Sequence, residues 1–447
     1  MSGTEEPRKP DAVRPADDES APRAADAAQS SVASSPDAGP DPRGADTADT
    51  QWREVFQTIV GGSWLISLGA VLLAIVAGSV LIAFTDEGVR EASGYFFSRP
   101  ADTFSAIGSA VGSAYAALFR GAVWDFEADT FSTAIRPLTQ TLTRATPLIA
   151  AGLGVALTFR AGLFNIGGRG QMLVAAAAAG WVGFSWELPW PLHMLVAMVL
   201  GMAAGALWSG IAGALKAFTG AHEVISTIML NYVAFYLLSY ALATPGLLQA
   251  PGSANPKTPP TAESAQMPDL FSGHNLHLGF VIVLIAVAFT WWLLERSKIG
   301  FEYRAVGINP HAARVAGIDV RRVTVSVMLV AGALVGLAGT TQVQGTVTTG
   351  FSSDIDAGIG FDAITVALLG RSRPFGVLAA AILFGGFKAG GSVMQASEGV
   401  PIEIVTVVQS LIVLFIAAPP IVRAVFRIPE PGRRRRPARA ERKAVAA

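Results

Sequence analysis

The chain has 447 residues, of which 51% are hydrophobic and 15% are charged, and its 33 basic and 33 acidic side chains balance. This composition, with apolar runs from about residue 64 to residue 422, is typical of a polytopic membrane protein. The absence of cysteine excludes disulfides, thiolate nucleophiles and cysteine-based metal sites. We expect neither a metal nor a cofactor.

The two ends of the chain differ from its middle. Residues 1–55 are acidic, rich in Ala and Pro and poor in large apolar side chains, which predicts a disordered cytoplasmic tail. Residues 429–447 contain an arginine cluster, and we expect a basic cytoplasmic tail there. The predicted transmembrane domain lies between them, at residues 56–428.

The apolar runs predict an all-α protein with about ten transmembrane helices, two of them short. They lie at residues 64–84, 136–158, 171–186, 191–215, 223–243, 277–294, 323–345, 359–370, 374–390 and 402–421. Basic side chains cluster in alternate loops, so the positive-inside rule predicts that both termini are cytoplasmic. Residues 85–135 and 244–276 are then predicted loops on the outer side.

Five spans followed by five spans would place the second half upside down relative to the first, as in many transporters. A short sequence echo agrees with this 5+5 inverted repeat. GLFNIGGRGQ precedes the third span and GIGFDAITVALLG opens the eighth, and both are glycine-rich, polar starts to helices of small residues. Chance similarity is the alternative in a chain so rich in Gly and Ala.

The segment at residues 162–171 lies between two apolar runs. Irregular backbone at membrane depth is tolerated only where protein or a water-filled cavity surrounds it, so this segment indicates a solute path. Asn165 and Gln171 are neutral donors and acceptors that suit a polar, uncharged solute. The alternative is an ordinary cytoplasmic turn, in which Arg160 and Arg169 are positive-inside residues.

A polar stripe runs along the fifth span. Glu223, Thr227 and Asn231 recur every four residues and share one face of a helix. Polar side chains within a span usually face a cavity or the bundle interior. The alternative is hydrogen bonding between neighbouring helices. In the eighth span, Asp362 would either bind the solute or cap the helix.

The predicted inner loop at residues 295–322 is too polar to cross lipid. Asn309 and Pro310 are placed to start a short helix that ends by Gly317. A short helix exposing Ala and Val from a cytoplasmic loop is typical of a docking element. A helix lying on the membrane surface is the alternative.

Five segments together resemble the permease subunits of bacterial ABC importers for ribose-type sugars, branched-chain amino acids and nucleosides. They read GLFNIGGRGQMLVAAAAAG, EVISTIMLNYVA, AVGINPHAARVAGIDVRR, GLAG and GFDAITVALLG. The EVISTIMLNY segment is most similar to the nucleoside and purine branch. The resemblance covers about residues 60–425.

The resemblance implies a multi-pass protein of the bacterial plasma membrane with three protein partners. These are a second, related permease that forms a heterodimer with it, a cytoplasmic ABC ATPase, and an extracytoplasmic substrate-binding lipoprotein; the lipid bilayer surrounds the complex and no nucleic acid is involved. The resemblance also places the ATPase-coupling segment at Gly307, Asn309, Ala312, Ala313 and Gly317. It matches the family's translocation motif to Phe164, Asn165, Gly167, Gly170 and Gln171, with departures at Arg169 and His222.

No G-x-x-x-x-G-K-[ST] phosphate loop occurs, so we expect a transport subunit that is not an enzyme and relies on a separate ATPase. The resemblance implies nucleosides as the cargo, and Phe164, Tyr232 or Phe361 would supply an aromatic face for a base. A simple sugar or a branched-chain amino acid is the alternative cargo. A secondary transporter or channel is the alternative from another class, although the spans hold few carboxylates that would couple ions.

Overall fold

The computed structural model describes residues 63–427, which are organised as a bundle of α-helices. β-pairing in these residues is confined to one antiparallel bridge between Asp269 and His277. The predicted tails at 1–55 and 429–447 lie outside the described residues. The helices are α1 (Ser63–Thr85), α2 (Glu87–Ser93), α3 (Pro100–Ala122), α4 (Phe131–Arg160), α5 (Gly168–Ser185), α6 (Leu192–Ala214), α7 (Glu223–Ala243), α8 (Gly279–Arg296), α9 (Lys298–Ile308), α10 (Pro310–Val315), α11 (Val320–Thr341), α12 (Ile359–Leu369), α13 (Pro374–Glu398), α14 (Ile402–Ala417) and α15 (Pro419–Phe426).

The described residues contain seven helices that are long and apolar enough to cross a bilayer, or eight if α14 and α15 together make one bent span. The prediction of about ten spans is therefore too high. α5 has Arg169 and Gln171 in its first turn, which lowers its mean hydropathy, and α12 has only 11 residues. The chain is a multi-pass membrane protein. Its two glycine-rich segments lie at the starts of α5 and α12, the two predicted spans that are too short or too polar to pass as spans.

The predicted outer connection at residues 85–135 contains the 23-residue helix α3, which the hydropathy pattern does not predict. α3 is rich in Gly, Ser and Ala, so an average of its hydropathy does not predict a span. Its helical periodicity is nonetheless visible: Ala114, Ala117 and Gly121 are buried on one face. This face packs against α13.

α4 and α11 form the centre of the bundle, and both are largely buried. α4 packs against α13 and α12, while α11 packs against α6 and α5; the two central helices also pack against each other. Small residues permit these close contacts. For example, a Cβ on Gly205 of α6 would lie 2.7 Å from the carbonyl oxygen of Gly332 on α11. Such close packing of small residues is common between membrane helices.

Candidate functional site

The glycine-rich segment before α5 is an ordered turn held by its own polar side chains. The Oδ1 atom of Asn165 accepts hydrogen bonds from the backbone N–H of Gly167 at 2.9 Å and from Nε2 of Gln171 at 3.1 Å. Asn165 is fully buried and Gln171 nearly so. The side chains thus supply partners for an irregular backbone that lipid could not satisfy.

Three polar residues of α7, spaced four apart, form hydrogen bonds to this turn. The carboxylate of Glu223 accepts from the N–H of Phe164 at 3.4 Å, and the hydroxyl of Thr227 accepts from the N–H of Ile166 at 3.3 Å. Asn231 accepts from the N–H of Gly170 at 2.8 Å and donates to the carbonyl of Ile166 at 3.0 Å. The glycine-rich segment is therefore in contact with α7 over two helical turns, a length of about 12 Å.

The structure thus brings together five of the predicted path residues: Asn165, Gln171, Glu223, Thr227 and Asn231. All five are buried, and they bond to each other or to the backbone of the turn. This geometry positions the start of α5. Their contact with a solute stays a prediction.

The three predicted stacking residues have a different placement. Phe164, Tyr232 and Phe361 are each about half exposed, and Phe164 contacts Phe159 with ring centroids 4.7 Å apart. Within residues 63–427 no ring contact joins the three to one another. They lie on the surface of the chain.

The second glycine-rich helix start meets the first. A Cβ on Gly168, at the start of α5, would lie 2.7 Å from the carbonyl oxygen of Gly360, at the start of α12. The N-termini of α5 and α12, which are the positive ends of the helix dipoles, therefore lie next to each other. Asp356, which is buried, accepts a hydrogen bond from Nε of Arg169 at 3.2 Å, and the same guanidinium lies 5.0 Å from the ring centroid of Phe235.

A large cavity, of about 780 Å³, lies on the side of the bundle where α4 begins and α13 ends. Polar side chains of α4 and of the segment before α8 line it, together with Lys388 of α13. Its lining includes Gln140, Thr143, Arg144, Trp190, Glu263, Gln266, Asp269, Asn275, Gln342, Thr346, Ala357 and Lys388. Asp362 reaches this cavity indirectly, because its Oδ2 lies 2.5 Å from the Lys388 Nζ.

Two smaller cavities continue from the large one along the segment before α12. One, of about 220 Å³, is lined by Lys257, Gln342 and Asp354, and the other, of about 250 Å³, is lined by Arg169, Asp356 and Phe361. Ala357 lines all three cavities. The cavities therefore follow one another from the N-terminal half of α4 to the contact between α5 and α12.

The predicted helix in the inner loop is present as α10. Asn309 caps it, since its Oδ1 accepts from the backbone N–H groups of His311 at 3.0 Å and Ala312 at 3.1 Å. Gly317, with a φ of 84°, lies two residues after its end. α10 is followed by a turn that only glycine adopts easily.

The residues of this loop divide into buried and exposed sets. Gly307 packs against the backbone at Arg160 and Ala161, and Ala313 is buried. In contrast, Ile308 is 86% exposed and Val315 is 91% exposed. Ile308 ends α9 and Val315 ends the Asn309-capped α10, and two large aliphatic side chains exposed this close together are typical of an interaction surface.

Residues 138–417 match the family described as "Branched-chain amino acid transport system / permease component". The chain belongs to this permease family. It is 37% identical to a guanosine ABC transporter permease of Bacillus subtilis over 81% of this chain and 95% of that protein. It is 34% identical to a nucleoside ABC transporter permease of Lactococcus lactis over 68% of this chain and 86% of that protein. It is 35% identical to a glucose ABC transporter permease of Haloferax volcanii, over 62% and 75% of the two chains. No solved structure matches the chain.

Membership in the family confirms the resemblance found in the sequence and defines the chain as a non-catalytic permease subunit. The polar lining of the large cavity is what sequence reasoning missed. Arg136, Gln140 and Arg144 follow each other at four-residue spacing within a predicted span. Charged side chains inside a span are costly, and this spacing could have identified the cavity-lining face of the permease.

Proposed function

We propose that this permease is one of two transmembrane subunits of an ATP-driven importer for nucleosides. The main support for a nucleoside as the transported solute is the match to the Bacillus subtilis guanosine permease, which extends over 95% of that protein. The large cavity is consistent with it, because about 780 Å³ exceeds the volume of a nucleoside and lies in the usual range for small-molecule sites.

The solute path, in this proposal, follows the three cavities that meet at Ala357. The backbone supports a functional role here: Ala357 has a φ of 44°, a conformation that side chains other than glycine rarely adopt. Such backbone outliers concentrate at ligand sites and moving segments. Phe361 and Arg169 would line the inner part of the path, and Asn165, Gln171, Glu223, Thr227 and Asn231 would hold its wall in place.

The paired glycine-rich helix starts support an inverted repeat. In this proposal α4 corresponds to α11, α5 to α12, α6 to α13 and α7 to α14. The packing agrees, since α4 packs against α13 of the opposite half just as α11 packs against α6. With basic residues on one side, both termini would be cytoplasmic.

The exposed pair Ile308 and Val315 would dock a cytoplasmic ABC ATPase. The docked loop would transmit force to the path directly, because Gly307 packs on the turn that leads from α4 to Asn165. A second permease and an extracytoplasmic binding protein would complete the importer. The Bacillus subtilis relatives include two guanosine ABC transporter permeases, which match this chain at 37% and 30% identity and favour a heterodimer.

A branched-chain amino acid is the second candidate cargo, and one feature of the cavity favours it. Arg144 and the carboxylates of Glu263 and Asp269 line the same cavity, which would suit both ends of a zwitterion. A sugar is the third candidate, since one relative is a glucose permease.

The test is ATP-dependent uptake of radiolabelled guanosine by the complex reconstituted in proteoliposomes. Unlabelled guanosine, uridine, ribose, glucose and leucine serve as competitors. Competition by nucleosides alone is the expected result. Competition by leucine or glucose but not by nucleosides would reassign the cargo, and uptake that persists without the ATPase would instead indicate a secondary transporter or channel.

A further inference from the structure

The outer end of α4 carries two arginines whose guanidinium groups have no partner among residues 63–427. Arg136 and Arg144 are both exposed, and neither side chain makes an ion pair or a hydrogen bond in the described part of the chain. Arg144 lies at the boundary between the large cavity and a neighbouring cavity of about 340 Å³, whereas Arg136 lines only the smaller one.

The other cations beside these cavities are paired. Lys388 lies 2.5 Å from Asp362 beside the large cavity, and Arg120 lies 2.6 Å from Glu127 beside the smaller one. Arg144 is therefore the free cation of the large cavity within residues 63–427. Because Arg144 is exposed and lines the large cavity, its N–H donors are available to a ligand there, whereas Arg136 lies outside that cavity.

The guanidinium group has five N–H donors in a fixed fork and no acceptor. A neutral ligand satisfies such a fork best with two adjacent acceptors. In guanosine and inosine, O6 and N7 form that pair on the edge away from the ribose. Adenosine has an N–H donor in place of O6, which would face the donors of the arginine.

We propose that Arg144 determines specificity by donating two hydrogen bonds to O6 and N7 of a 6-oxopurine nucleoside in the large cavity. This inference rests on the proposed nucleoside transport and narrows its substrate class. The neighbouring lining completes the recognition: Gln140 and Asn275 supply neutral donors and acceptors for the ribose, and Trp190 offers an aromatic face to the base.

The experiment measures how well nucleoside analogues compete with radiolabelled guanosine in the reconstituted complex. 7-Deazaguanosine is the sharpest probe, because it keeps the shape of guanosine and lacks only the N7 acceptor. Inosine is expected to compete as well as guanosine, and 7-deazaguanosine and adenosine at least ~5-fold more weakly. Cytidine, which also has two adjacent acceptors but beside the sugar bond, is expected to compete weakly.

Arg144→Lys keeps the positive charge and removes the fork, so the difference between guanosine and 7-deazaguanosine is expected to disappear. Arg136→Lys is the matched control, four residues before Gln140 on the same helix, and should retain the wild-type ratio. Equal competition by 7-deazaguanosine in the wild-type protein would overturn the assignment without any variant. An unchanged ratio in Arg144→Lys would do the same.

The outcomes separate this inference from the broader proposal. If all nucleosides compete equally, nucleoside transport stands and the role of Arg144 fails. If only leucine or glucose competes, the nucleoside proposal itself fails. Should Arg144→Lys not fold, as judged by size-exclusion chromatography, the analogue series in the wild-type protein still tests the inference, because equal competition by 7-deazaguanosine overturns it.

Discussion

Gly168 and Gly360 face each other in backbone contact where α5 and α12 begin, so that a Cβ on Gly168 would lie 2.7 Å from the carbonyl oxygen of Gly360. Replacing either glycine with alanine would force two buried backbones apart. We expect Gly168→Ala to destabilise the protein by about 1 to 3 kcal/mol, the usual cost of overpacking. The thermal unfolding midpoint in detergent measures this.

Gly108 and Gly112 of α3 provide the matched control for that substitution. Both are helical glycines, and a Cβ at either would meet no heavy atom within 4 Å. Alanine there should leave the midpoint unchanged or raise it, because alanine favours the helix by up to about 1 kcal/mol. Equal midpoints for Gly168→Ala and Gly112→Ala would contradict the close contact of the two helix starts.

Asp362 and Lys388 form an ion pair between α12 and α13, with Oδ2 and Nζ 2.5 Å apart and both side chains partly exposed. Removing one partner leaves a single charge beside the large cavity. We expect Asp362→Asn and Lys388→Met each to destabilise the protein by about 1 to 3 kcal/mol, with partial recovery in the double variant. Thermal unfolding of the four proteins gives the coupling energy.

Transport by the double variant tests a separate point. If Lys388 lines the solute path, uptake should stay low after stability has recovered. Wild-type uptake in the double variant would show that the pair serves the structure alone.

Ile308 and Val315 are the most exposed aliphatic side chains of the predicted inner loop, residues 295–322. Ile308→Asp and Val315→Asp should each prevent co-purification of the ATPase, because a carboxylate would be buried at an apolar interface without a partner. Val123→Asp, at an exposed valine directly after α3, is the control and should retain the ATPase. Retention by both loop variants would place the docking surface elsewhere.

This choice of residues differs from the one that the sequence suggests. Gly307 and Ala313 belong to the predicted coupling segment, but Gly307 packs against the backbone at Ala161 and Ala313 is buried. A charged residue at either position would disturb folding as well as docking. The motif identifies the segment, but only the structure shows which of its side chains are packed against the bundle and which are exposed.

Other features of the fold can likewise be sorted into those that the sequence predicts and those that only the structure shows. The bounds of α7, residues 223–243, are predicted without error, because a long apolar run is flanked by polar residues at both ends. The contact between Gly168 and Gly360 joins segments far apart in the chain, which no local pattern indicates. α3 and Arg144 were missed for a shared reason: an average of hydropathy hides both an amphipathic face and a single charge.

His277, just before α8, predicts a pH dependence of stability. Its ring is fully buried, its Nδ1 accepts from the N–H of Gly279 at 3.2 Å, and burial lowers its pKa from 6.5 to about 4. Well above pH 6.5 the ring is neutral in both the folded and the unfolded chain, so it adds no pH dependence there. As the pH falls from 6.5 towards 4, the unfolded chain binds a proton that the folded chain excludes, and stability falls.

The expected loss at about pH 5 is about 2 kcal/mol relative to neutral pH. His277→Gln removes the titrating group, so its unfolding midpoint should depend less on pH over this range than that of the wild-type protein. His311→Gln, at an exposed histidine of α10, should leave the wild-type pH profile unchanged. If His277→Gln keeps the full acid sensitivity, the loss of stability must come from other groups, because the neutral buried imidazole would then have contributed nothing to it.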